Sequence, residues 1–130
     1  MIFNQQARTE ALDFLASIRD ATRRSGDKPS FDHVIFCTNV TRAATGYERD
    51  FVSHQHDPKE VKSLTIQRRF ADKWAQLDPF AEVHVLPTIE EAINYARSLG
   101  STEDKAQVLV TGSLHLVGGA LGILEGVDAL

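Results

Sequence analysis

The sequence predicts an α/β domain in which a mainly parallel sheet carries helices on both faces. Three observations lead there. Strand-like and helix-like segments alternate four times along the 130 residues. Most of the strand-like segments are near-continuous apolar runs, as expected of parallel strands covered on both sides. The length suits one domain with its own core, read here as residues 1–130 without internal repeat or long linker.

The elements follow in order. Ile2-Phe3-Asn4 is a short first strand. Over residues 8–24, Ala11, Phe14, Leu15, Ile18 and Ala21 recur at helical spacing, and Arg19, Arg23 and Arg24 near the end complement the helix dipole. Ser25-Gly26-Asp27-Lys28-Pro29-Ser30 breaks that helix. His33-Val34-Ile35-Phe36-Cys37 reads as a buried strand, followed by a loop from Thr38 to His56. Asp57-Pro58-Lys59-Glu60 has the form of a helix start, predicting a helix to about Leu77 with Ile66, Phe70, Trp74 and Leu77 on one side. Asp78-Pro79 ends it. Glu82-Val83-His84-Val85-Leu86 is the third strand. Thr88-Ile89-Glu90-Glu91 is a capping box opening a helix that Gly100 closes. Gln107-Val108-Leu109-Val110-Thr111 is the last strand, and Ser113 caps a final helix over 114–125. The whole is a three-layer, Rossmann-like arrangement.

Composition removes several function classes. The net charge is -4, which offers no basic surface to nucleic acid. One cysteine cannot form an internal disulfide and fits a reducing compartment. The N-terminus lacks the basic-then-apolar order of a secretion signal. Residues 106–124 carry no formal charge, but their polar residues and glycines suit a buried strand and helix better than a membrane span. These features describe a soluble intracellular domain.

Open α/β sheets bind ligands beyond the carboxyl ends of their strands. Here those ends are Asn4-Gln5-Gln6, Thr38-Asn39, Leu86-Pro87-Thr88 and Thr111-Gly112-Ser113. The last runs straight from a strand into a helix start, where free N–H groups favour an anion and Gly112 permits close approach. The plainer reading makes Ser113 an N-cap and Gly112 a tight turn. His115 faces the crevice mouth or serves a structural hydrogen bond.

Sharper motifs fail. There is no G-x-x-x-x-G-K-[ST] for nucleotide phosphates, and Gly112-Ser113 does not match G-x-S-x-G. Gly118, Gly119 and Gly122 fall inside the last helix, where they suit close packing. His54-Gln55-His56-Asp57 reads as a solvated loop, not a metal site. Cys37 reads as a small buried hydrophobe, His84 as a satisfied sheet residue and Trp74 as core. Arg42, Arg68 and Arg69 read as solvated.

Ile2-Phe3-Asn4-Gln5-Gln6, Phe36-Cys37-Thr38-Asn39 and Val108-Leu109-Val110-Thr111-Gly112-Ser113-Leu114-His115-Leu116-Val117-Gly118-Gly119 resemble the carboxyl-terminal domain of eukaryotic, especially fungal, folylpolyglutamate synthases. Trp74 to Pro79 and Glu82 to Val85 fit in the same order. The resemblance implies an ATP-dependent ligase of the Mur-ligase type, which activates a folate carboxylate as an acyl phosphate and joins it to the amine of L-glutamate. It implies ATP and Mg²⁺ as cofactors, a P-loop in an amino-terminal domain, and a cleft between the two domains. Asn39, Thr111, Gly112, Ser113 and His115 are then the candidates to meet glutamate or ATP, and no catalytic residue or metal ligand is assigned. An Asp-Gly-Ala-His segment of the family is absent, so the first strand-helix unit and the P-loop domain are expected to be missing and the isolated chain inactive. A cytoplasmic location follows, or a mitochondrial one for the parent enzyme. The competing reading is a free-standing α/β module that binds a small anion or regulates without catalysis.

Overall fold

A computed structural model describes residues 1–5, 10–42, 64–102 and 106–126. In chain order the elements are β1 (Ile2–Phe3), α1 (Ala11–Ala21), β2 (His33–Phe36), α2 (Thr65–Leu77), β3 (Glu82–Val85), α3 (Ile89–Thr102), β4 (Val110–Thr111) and α4 (Leu114–Glu125). The four strands form one sheet in the order β3-β2-β1-β4, and every pairing is parallel.

Alternate strand residues point to opposite faces, and each face has its own core. Ile2, Ile35 and Cys37 pack under Ile89, Ala92, Ile93 and Ala96 of α3 and Leu116, Ala120 and Ile123 of α4. Phe3, Val34 and Phe36 pack under Ala11 and Leu15 of α1 and Phe70 and Trp74 of α2. Phe3 centres the second core, its ring meeting Phe70 edge-on at 5.4 Å and Phe36 at 5.9 Å. The predicted three layers are therefore present.

The capping signals place the later helices. Thr88 Oγ1 accepts from the Glu91 N–H at 3.1 Å, as a capping box requires. Ser113 Oγ accepts from the Leu116 N–H at 3.4 Å, and Gly126 closes α4 in the left-handed region at φ 74°.

Several boundaries differ from the sequence reading. The start at Asp57 lies outside the described residues. Leu64 has φ 59°, which no right-handed helix accommodates, so the described helix begins at Thr65 rather than running through from 57. The first helix ends at Ala21 instead of Arg24, and Phe14 and Ala21 are exposed. The third helix continues past Gly100 to Thr102. The last strand shrinks to Val110–Thr111, since its partner β1 pairs only through Ile2 and Phe3; Val108 and Leu109 are exposed. The first and third strands likewise lack Asn4 and Leu86.

Arg19 also has a second role. It stands in the last turn of α1, and its Nε also donates to the Leu77 carbonyl at 3.0 Å, so it complements the end of α2 as well. Its guanidinium also pairs with buried Asp78 at 3.5 Å and donates to Ser30 Oγ at 2.8 Å. Of the helical glycines, Gly119 packs closely, since a Cβ there would lie 2.6 Å from Ile89 Cδ1. Gly118 is exposed with open space around it, so it takes no part in packing.

Candidate functional site

The strand order sets the location. β1 pairs with β2 on one side and β4 on the other, so the order reverses beside β1. A crevice is expected there, beyond the carboxyl ends of β1 and β4. Those ends are Asn4-Gln5 and Gly112-Ser113.

The chain brings them together. Gln5 Nε2 donates to the Gly112 carbonyl at 3.1 Å. Gly112 has φ 104°, and a Cβ there would lie 2.5 Å from the Asn4 carbonyl oxygen and 2.9 Å from the Phe3 ring. Only glycine fits that turn. Asn4 Nδ2 donates to Asn39 Oδ1 at 3.0 Å, which ties the end of β2 into the same corner. Gln67 Nε2 of α2 donates to Asn4 Oδ1 at 2.8 Å. Asn4, Asn39 and Gln67 are all buried, forming a polar relay Gln67–Asn4–Asn39 under the corner. Gln67 Oε1 is buried with no hydrogen-bond partner.

The candidate residues thus separate. Asn39 and Gly112 meet through Asn4 and Gln5. Thr111 ends β4 half-buried, and Ser113 caps α4. The first N–H groups of a helix have no partner within it, so this end presents donors and the positive end of the dipole. His115 lies exposed in the first turn, and no contact brings it to Ser113. Sequence reasoning missed Gln67: it interrupts an apolar helix face, a signal visible only once that face meets the end of β1. Thr38 is also fixed, its hydroxyl donating to the Pro87 carbonyl at 2.7 Å and accepting from the Val40 N–H at 3.0 Å.

The donor set decides which groups fit. Amides, hydroxyls, helix N–H groups and one imidazole suit a carboxylate or phosphate. They do not suit Mg²⁺, which takes carboxylate and phosphate oxygens. A cleft of about 670 Å³ lies elsewhere, against Met1, His33 and Leu109 at the amino ends of the strands, away from this chemistry.

Cys37 is fully buried, and burial pushes its thiol up to about 12. Trp74 is core. His84 Nε2 meets Tyr95 Oη at 2.9 Å, as a satisfied sheet residue. Arg42 is not free in solvent but pairs with Glu90 at 3.1 Å, whereas Arg68 and Arg69 are exposed. The loop His54-Gln55-His56-Asp57 lies outside the described residues. Among the described residues, no helix is long and apolar enough to cross a membrane.

Comparison with known proteins gives a consistent result. The chain is 58% identical over its whole length to folylpolyglutamate synthase of Neurospora crassa, covering 25% of that protein. It is 37% identical to the Candida albicans folylpolyglutamate synthase over 96% of the chain and 24% of the relative. A Saccharomyces cerevisiae folylpolyglutamate synthase is 36% identical over 98% of the chain and 22% of its own length. The chain thus spans about a quarter of the length of the curated relatives it matches. No protein-family model and no solved structure matches it.

Proposed function

From the chain's homology, along its whole length, to a segment of the fungal folylpolyglutamate synthases, we propose that it is the carboxyl-terminal domain of a ligase adding γ-linked glutamate to folates. The parent enzyme uses ATP and Mg²⁺ and passes through an acyl phosphate on the folate carboxylate. ATP, when bound, supplies the phosphoryl group that makes this carboxylate electrophilic.

The residues of this chain bind and orient. An anion, either a glutamate carboxylate or a nucleotide phosphate, sits on the free N–H groups at the start of α4. Gly112 keeps the approach open, Ser113 fixes the first turn, and Thr111 and His115 border the seat. The Gln67–Asn4–Asn39 relay holds the adjoining strand ends in place. Mg²⁺ and the P-loop belong to the amino-terminal domain. The exposed stripe Leu114, Leu121 and Leu124 on the outer side of α4 supports a docked partner domain there.

The single observation carrying this reading is the 58% identity over the whole chain. The test mixes the purified chain with the remaining part of the Neurospora crassa synthase and follows folate polyglutamate formation. The chain alone gives no product, the mixture gives product, and Ser113→Ala in the mixture raises the KM for glutamate or ATP. Product from the chain alone overturns the division of labour. Glutamate or ATP binding by the chain, without restored activity in the mixture, favours the free-standing module instead.

A further inference from the structure

A second cluster lies at the opposite end of the strands. His33 opens β2 and Glu82 opens β3, and the two face each other in the ladder. His84, two residues along β3, projects on the same side of the sheet. His33 Nδ1 is 3.3 Å from Glu82 Oε2, and His84 Nε2 is 3.6 Å from Glu82 Oε1. Tyr95 reaches in from α3, its Oη 2.9 Å from His84 Nε2 and 3.3 Å from His33 Nδ1.

Each ring nitrogen is therefore approached by two oxygens, one from Glu82 and one from Tyr95. An imidazole nitrogen carries one in-plane hydrogen or one lone pair, so it satisfies one partner well. Five donor atoms from four side chains converging in this way have a common answer in a cation between them. The separations of 2.9 to 3.6 Å bracket the edge of a zinc tetrahedron, about 3.3–3.4 Å for bonds of about 2.0–2.1 Å. The His and Glu ligand atoms all lie within 4.8 Å of one another. Two imidazoles and one carboxylate are a zinc donor set.

The surroundings suit an ion as well. The ligands stand on paired strands, which hold them more firmly than a loop. The side chains of His33 and His84 are 24% and 26% exposed and that of Glu82 61%, so an ion enters directly from solvent.

We propose that His33, Glu82 and His84 form a zinc-type divalent-metal site that pins the edge strand β3 to β2, its fourth position taken by Tyr95 Oη or a water. The ion bridges the start of two strands and stabilises the folded chain in proportion to its occupancy.

The experiment is a calorimetric titration of the untagged, chelator-treated chain with Zn²⁺, with Co²⁺ absorption as a report on geometry. One Zn²⁺ binds per chain, the melting temperature rises, and Co²⁺ gives a tetrahedral spectrum. His84→Gln lowers affinity by at least about a hundredfold, beyond the usual effect of losing an outer partner. Glu82→Gln, at a largely exposed position that leaves the packing unchanged, does the same. The combined variant His54→Ala, His56→Ala and His115→Ala keeps its one equivalent. The proposal is overturned if the wild-type chain takes up no stoichiometric Zn²⁺, if Glu82→Gln retains full affinity, or if the triple variant loses the ion.

Discussion

Gly112 shows how one residue is fixed by its surroundings. Its φ of 104° and the Asn4 carbonyl 2.5 Å from any added Cβ act together, and backbone cannot yield as a side-chain tip can. Gly112→Ala is expected to cost about 2–4 kcal/mol, read as a lowered urea midpoint. Cys37 makes a different prediction. Its thiol ionises at about 12 when folded, against 9.0 ordinarily, so above about pH 9 the unfolded chain holds fewer protons than the native one. Stability therefore falls as pH rises through that window. Between roughly pH 9 and pH 10 the wild type should lose about 1 kcal/mol more than Cys37→Ala in parallel denaturant melts. Ser113 and Gly112 were legible because caps and tight turns are local. The Gln67–Asn4 bond joins residues 63 apart, and no spacing in the sequence announces it.

At the scale of elements, the helices beginning at Ile89 and Leu114 were legible to the residue, since Thr88 and Ser113 satisfy N–H groups within their own turns. The break at Leu64 was not, because leucine carries no signal for a left-handed backbone. Arg19 shows what local reading omits: a basic residue late in α1 fits the dipole rule, yet its partners are Leu77 and Asp78 at the end of α2 and Ser30 in the turn before β2. Asp78 is buried, and its Oδ1 has no hydrogen bond, only the ion pair to Arg19. Arg19→Met should therefore cost about 3 kcal/mol, because the carboxylate stays buried without its cation. Chemical denaturation monitored by Trp74 fluorescence checks this. Asp78→Asn combined with Arg19→Met should recover part of the loss.

For the whole molecule, the parallel sheet and its two covered faces followed from apolar strands alternating with amphipathic helices. The strand order did not follow, because pairing partners are chosen by packing between distant segments. That order makes β4 an edge strand, with exposed Val108 and Leu109 beside it and Leu114, Leu121 and Leu124 bare on α4. Apolar surface of this kind associates when nothing covers it. Sedimentation velocity should show the wild-type chain forming dimers or larger species as concentration rises. Leu114→Glu with Leu121→Lys should remain monomeric at the same concentrations, with an unchanged melting temperature.

The central position of β1 has a consequence for how the chain reaches its native state. The strand nearest the N-terminus has one neighbour, β4, more than a hundred residues away, and Gln5 closes onto Gly112 across a separation of 107. Contacts so distant form late and slow the search. During synthesis the corner at Asn4 and Gln5 has no second wall until β4 and the start of the last helix have emerged. Closure of Gln5 onto Gly112 thus reports that β1 and β4 have joined in the assembled sheet.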